Sequence, residues 1–149
     1  MIIKNHRSFI CGVKGKDLSK KEIEFLKKYK PWGIILFKRN IGSIKQTINL
    51  TNSIKKIFNN KNYPIMVDEE GGRVSRLRKF IDNSIFTAEY FGNLYKKNIN
   101  KFDIYYSVYV KQIAYLLRLL GININTVPVL DIKRKKSVSY THLTLPTIR

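Results

Sequence analysis

Ile65-Met66-Val67-Asp68-Glu69-Glu70-Gly71-Gly72-Arg73-Val74-Ser75-Arg76-Leu77-Arg78 is the stretch that decides the fold. An apolar run leads into consecutive acids, then a glycine pair and closely spaced arginines. Such a run reads as a buried strand delivering its polar end to an open face, which is how a barrel or an open parallel sheet presents a site. Gly71-Gly72 permits a tight reversal beyond the strand, because glycine enters the left-handed region without a Cβ clash.

On either side of this strand, apolar runs alternate with helical patterns. Ser8–Val13 reads as a first strand. Ser19-Lys20-Lys21-Glu22 has the form of a capping box, in which hydroxyl and carboxylate satisfy exposed helix N–H groups. Ile23, Leu26 and Tyr29 follow at helical spacing, and Pro31 ends that helix. Gly33–Phe37 has no polar alternation, the mark of a strand covered on both faces in a parallel sheet. Ser43 can cap a second helix carrying Ile44, Ile48, Leu50, Ile54, Ile57 and Phe58. Phe102–Leu120 reads as a longer helix with Ile104, Val108, Ile113, Leu116, Leu117 and Leu120 inward, capped by Gly121. A fourth strand is expected over Ile124–Leu130, closing on Asp131, with Pro128 awkward within it. The βαβαβαβ order gives an α/β fold with a parallel sheet. It fits either a small open sheet or the first half of a (β/α)₈ barrel, incomplete at about four βα units.

The chain has 149 residues, with 29 Lys and Arg against 10 Asp and Glu, a formal charge of +19. A basic chain can signal a nucleic-acid or anionic-membrane partner. Here the lysines are scattered along the chain beside abundant Ile and Asn, which is the pattern of a solvated surface rather than a binding module. No specific nucleic acid and no membrane partner is expected. Cys11 is the sole cysteine, so no intrachain disulfide can form, and it reads as an inert strand residue. Met1–Arg7 has no apolar signal core, and no apolar stretch approaches the ~20 residues of a membrane helix. A cytoplasmic location is expected. The final stretch, 137–149, contains no Lys and no Asn. It reads as a non-native tail, leaving residues 1–136 as the authentic part of one domain.

Two readings of the acidic cluster follow from the residues alone. On a continuous strand Asp68 and Glu70 face the same side, roughly 6.6 Å apart at about 3.3 Å per residue, near the ~6.5–9.5 Å separation of inverting glycosidases. Alternatively, Arg73, Arg76 and Arg78 hold a carboxylate ionised for binding or structure, which is wrong for a general acid. His6 and His142 have no metal-ligating neighbours at the right spacing, so no metal site is expected. No dinucleotide or phosphate loop is present, and no cofactor is implied.

Gly33-Ile34-Ile35-Leu36-Phe37-Lys38-Arg39-Asn40, Val67-Asp68-Glu69-Glu70-Gly71-Gly72-Arg73-Val74, and Gly121-Ile122-Asn123 with Pro128-Val129-Leu130-Asp131 together resemble the family 3 glycoside hydrolases. They are most similar to the bacterial β-N-acetylhexosaminidases of peptidoglycan recycling. The resemblance covers roughly Ser8 to Ile132. It implies the N-terminal part of a (β/α)₈ barrel domain, with the motifs at the ends of its second, third and fourth strands. It further implies a retaining O-glycosyl hydrolase that removes terminal N-acetylglucosamine from a saccharide or muropeptide. By the same resemblance Asp68 and Arg76 bind the sugar hydroxyls, and Arg73 holds the loop through Glu70. Glu69 stands where the family usually has glutamine. The family's aspartate nucleophile, its histidine acid/base and its sugar-holding Lys-His pair lie beyond the fourth strand. No catalytic residue is therefore assigned here, and the chain is expected to be an inactive fragment. A β-glucosidase-type member of the family is the alternative, and a basic nucleic-acid-binding protein is a more distant one.

Overall fold

The structure, a computed structural model, describes residues 7–128. Expectations for the first residues and for 129–149, including the end of the fourth strand, Asp131 and the tail, lie outside the described residues. Four strands form one parallel sheet in sequential order: β1 (Arg7–Gly12), β2 (Pro31–Leu36), β3 (Ile65–Val67) and β4 (Ile124–Asn125). Registers such as Cys11 beside Ile34, Leu36 beside Val67 and Met66 beside Ile124 run in one direction throughout. Helices α1 (Lys20–Tyr29), α2 (Ile44–Ile57), α3 (Ala88–Lys97) and α4 (Ile99–Leu119) fill the crossovers. This is the α/β arrangement expected, sequential and parallel as in the first half of a barrel.

Each element forms for a local reason. The Ser19 hydroxyl accepts from Glu22 N–H at 3.3 Å and the Glu22 carboxylate accepts from Ser19 N–H at 2.9 Å, closing the expected capping box of α1. Pro31 does not merely stop that helix. It opens β2, after Lys30 has turned the chain in the left-handed region at φ 46°. Ser43 caps α2 by accepting from Gln46 N–H at 3.2 Å. Gly121, at φ +77°, ends the α4 segment as expected.

The core lies between the sheet and α1, α2 and α4. Ile34, Leu36, Ile65 and Val67 are completely buried, packed in one cluster with Leu26, Leu50, Ile54, Ile113, Leu117 and Leu120. Burying each such side chain contributes about 1.5–3 kcal/mol. Tyr63 is buried too, its hydroxyl donating to Pro31 O at 2.6 Å, and burial pushes its phenol well above its ordinary range. Cys11 is only half-buried on the edge strand, and burial pushes its thiol up, which keeps it protonated and unreactive.

Three sequence expectations change. Ile104 and Val108 are exposed at 61% and 50%, so they are not part of the inward face of α4. That face instead follows Tyr109, Ile113 and Leu117, which pack on the sheet, while Phe102 and the partly exposed Tyr106 meet Phe91 of α3 at its edge. The helix α3 has no counterpart in the strand–helix alternation read above. Thr87 caps it, accepting from Tyr90 N–H at 3.0 Å. Finally, among the described residues β4 covers Ile124–Asn125, and Pro128 lies beyond it. Among the described residues, no helix is long and apolar enough to cross a membrane.

Candidate sugar-binding site

The C-terminal ends of parallel strands are where a barrel gathers its functional groups. β3 ends at Val67, so Asp68 is the first residue beyond it. The loop that follows reverses at Gly71 and Gly72, at φ +77° and +58°. Glu70 N–H donates to Val74 O at 3.0 Å across this reversal. The strand therefore stops before Glu70, and the same-face spacing of Asp68 and Glu70 that a continuous strand would give does not hold.

The reversal brings Arg76 back over the strand end. Its Nε donates to Asp68 Oδ1 at 2.8 Å and its Nη2 to Oδ2 at 2.6 Å, a two-pronged pairing. Both side chains are partly exposed, Arg76 at 22% and Asp68 at 24%. The hydrogen bond and charge of Asp68 raise the Arg76 pKa against the opposing effect of burial. The pairing uses two of the five guanidinium N–H donors and part of the carboxylate's acceptor capacity, so both groups keep valences for a ligand. Arg76 also lies 6.0 Å from the centre of the Phe37 ring, and the Arg39 guanidinium lies 4.7 Å from it. The bare Gly12 leaves room for this stack, since a Cβ there would come within 3.1 Å of the Phe37 ring.

Glu69 points the other way. It is 2% exposed. Its Oε2 accepts from Arg76 N–H at 2.6 Å and Leu77 N–H at 2.8 Å, and its Oε1 accepts from Asn83 Nδ2 at 2.8 Å. Its own N–H donates to Asn125 Oδ1 at 3.0 Å. The extra acid thus holds the loop. Arg73 is exposed, and an arginine contact that holds the reversal is made by Arg78, whose Nη2 donates to Gly72 O at 2.8 Å.

Several of these residues carried no signal in the sequence. Asn83 and Asn125 are invisible in a chain rich in asparagine, whereas Asn123 closes the Gly121-Ile122-Asn123 motif, and its Oδ1 accepts from Ile65 N–H at 2.8 Å, joining β3 to the segment that enters β4. A cleft of about 830 Å³ also opens between α3, α4 and the segment after β4, with Phe91, Tyr106, Tyr109, Ile113 and Pro128 among its walls. Asp68 and Arg76 do not line it. Among the described residues, no cluster of His, Cys, Asp and Glu is placed to hold a metal ion.

A sequential parallel sheet with polar groups gathered at the end of its third strand is the arrangement of the first part of a (β/α)₈ barrel, and comparison with known proteins gives the family. The β-hexosaminidase of Xanthomonas oryzae pv. oryzae is 30% identical over 125 residues, 84% of this chain. NagZ from Neisseria gonorrhoeae, solved with N-trifluoroacetyl-D-glucosamine, superposes with a TM-score of 0.73 at 28% identity over 85% of the chain. A glycoside hydrolase family 3 β-N-acetylglucosaminidase from Paenibacillus sp. gives a TM-score of 0.60 at 26% identity over 83% of the chain. The match takes in 37% of the Xanthomonas protein, 38% of the Neisseria chain and 23% of the Paenibacillus chain. No family model matches the chain. By sequence and fold together, the chain is an N-terminal portion of a glycoside hydrolase family 3 barrel domain.

Proposed function

We propose that the chain supplies the sugar-holding part of a hydrolase that releases terminal N-acetylglucosamine, with Asp68 and Arg76 as the clamp. The observation that carries this reading is their two-pronged pairing at the solvent-facing end of β3. A charged acceptor and a planar donor fork, fixed side by side, read adjacent hydroxyls of one sugar ring. In the retaining mechanism of this class a carboxylate attacks the anomeric carbon while a second group protonates the leaving oxygen. Asp68 accepts both prongs of the Arg76 guanidinium, and Glu69 accepts from three donors. The proposal gives both a holding role and no part in bond cleavage.

The kinship of the relatives supports the sugar: the Neisseria protein was solved with an N-acylated glucosamine. We place the natural substrate among peptidoglycan fragments in the cytoplasm, and residues 1–136 as the part that does this work. The test is titration of the 149-residue chain with N-acetylglucosamine, followed by amide and arginine side-chain NMR. Shifts confined to Asp68, Arg76 and their neighbours are expected, without turnover of a chromogenic N-acetylglucosaminide. Turnover by this chain, or an equal response to an unrelated pentitol, would defeat the proposal.

A further inference from the structure

Arg76 is gripped twice by consecutive residues. Asp68 takes its guanidinium, and Glu69 takes its backbone N–H. The second grip depends on a buried polar pair. Asn83 is fully buried, and its Nδ2 donates to Glu69 Oε1 at 2.8 Å, while its backbone carbonyl accepts from Gly72 N–H and Phe86 N–H, each at 3.1 Å. Asn83 Oδ1 is buried without a hydrogen-bond partner. Burial, with the Glu69 charge adding to it, pushes the Tyr109 phenol up to about 12 against the lowering effect of a hydrogen bond with the Asn83 side chain.

We infer that Glu69 and Asn83 are positioning residues of the sugar clamp: together they fix where the Arg76 side chain starts, and so the angle at which it meets Asp68. The inference rests on the clamp proposed above for its functional meaning, though its geometry stands independently. Oε2 of Glu69 takes two backbone donors, so only Oε1 is left to face residue 83. What matters there is complementarity, one donor against one acceptor. A carboxylate facing Asn83 Nδ2 satisfies it. A glutamine in place of Glu69 satisfies it as well, because its carbonyl can keep the two backbone N–H groups while its amide faces residue 83, provided that the Asn83 amide rotates to present Oδ1. This explains how Glu69 stands at a glutamine position without disturbing Asp68: the charge is turned into the loop and neutralised by donors.

The experiment is a donor–acceptor swap in the full chain. The variants are Glu69→Gln, Asn83→Asp and the double variant, read by hydrogen exchange of the Arg76 Nε–H and of the Arg76 and Leu77 amides. Glu69→Gln should leave these protections close to the parent. Asn83→Asp sets two acceptors face to face and should speed exchange at these sites by about tenfold or more, the effect of losing a charged hydrogen bond. The double variant sets an amide donor opposite a carboxylate acceptor again, with the two roles exchanged, and should recover most of the protection. Ile34 and Val67 amides serve as internal controls. Unchanged Arg76 exchange in Asn83→Asp, failure of the double variant to recover it, or equal acceleration at Ile34 and Val67 would each overturn the inference. Sugar titration of the parent is a separate arm: no binding by a chain with the expected protection pattern sinks the proposed function and leaves the positioning role standing.

Discussion

The Arg76 guanidinium meets the Asp68 carboxylate edge to edge, Nε to Oδ1 at 2.8 Å and Nη2 to Oδ2 at 2.6 Å, across eight residues of chain. Two flat groups joined in this way leave their outer valences side by side, and the reversal at Gly71 and Gly72 is what brings them together.

Arg76→Lys tests the fork. Lysine keeps the charge but has no planar pair of donors. N-acetylglucosamine affinity should fall by about tenfold or more, in line with ~1.5–3 kcal/mol for a hydrogen bond to a charged group, while the fold is retained. An NMR titration checks both. Because Asp68 raises the Arg76 pKa above its ordinary, already strongly basic range, the stabilisation that Arg76 gains is fully present below that range and is lost only far above neutrality. Arg76 itself should therefore add no pH dependence to stability near pH 7.

Gly71→Ala tests the reversal. A Cβ there would collide with Phe86 O and come within 2.7 Å of the Tyr109 hydroxyl, at a φ of +77°. Left-handed strain of about 1–3 kcal/mol is expected before the collision is counted. Thermal unfolding should show the loss, and the Arg76 Nε–H signal should lose its protection.

Thr51→Val tests the junction between α2 and the end of α4. The Thr51 hydroxyl lies 2.8 Å from Leu120 O and 3.0 Å from Ile48 O. Valine keeps the shape but strands a buried carbonyl, at a cost of about 1–3 kcal/mol. Urea unfolding with an unchanged slope is the expected signature.

Ser19→Ala should cost α1 about 1 kcal/mol as a lost N-cap. Its partner gives the pH dependence. Burial raises the Glu22 carboxyl, but hydrogen bonds from Lys14 N–H, the Ser19 hydroxyl and Ser19 N–H outweigh it, so its pKa lies below the ordinary 4.5. A depressed carboxyl stabilises the fold above its unfolded value and loses that contribution as pH falls through the folded one. Glu22→Gln should accordingly flatten the stability curve below about pH 4.5 and leave its shape at neutral pH unchanged.

The elements legible in the sequence are those whose cause is local. Ser19 and Glu22 announce the start of α1 because a capping box is completed within four residues. Gly33–Phe37 announces a covered parallel strand because both of its faces are apolar. Gly71-Gly72 announces a reversal because few other residues can adopt it.

Other features depend on partners distant in the chain. Ile104 and Val108 have the hydrophobicity of core residues, and only the docking of α4 through Tyr109, Ile113 and Leu117 shows that they face outward. Glu69 and Glu70 are the same residue type side by side. Nothing local says that Glu69 will be buried against Asn83, 14 residues on, and against Asn125, 56 residues on. The sequence determined the order of strands and the turn, and its family resemblance pointed to Asp68 and Arg76. Tertiary structure alone decided which acid meets the Arg76 guanidinium and which is buried in the loop, because that choice rests on where the chain returns its N–H donors.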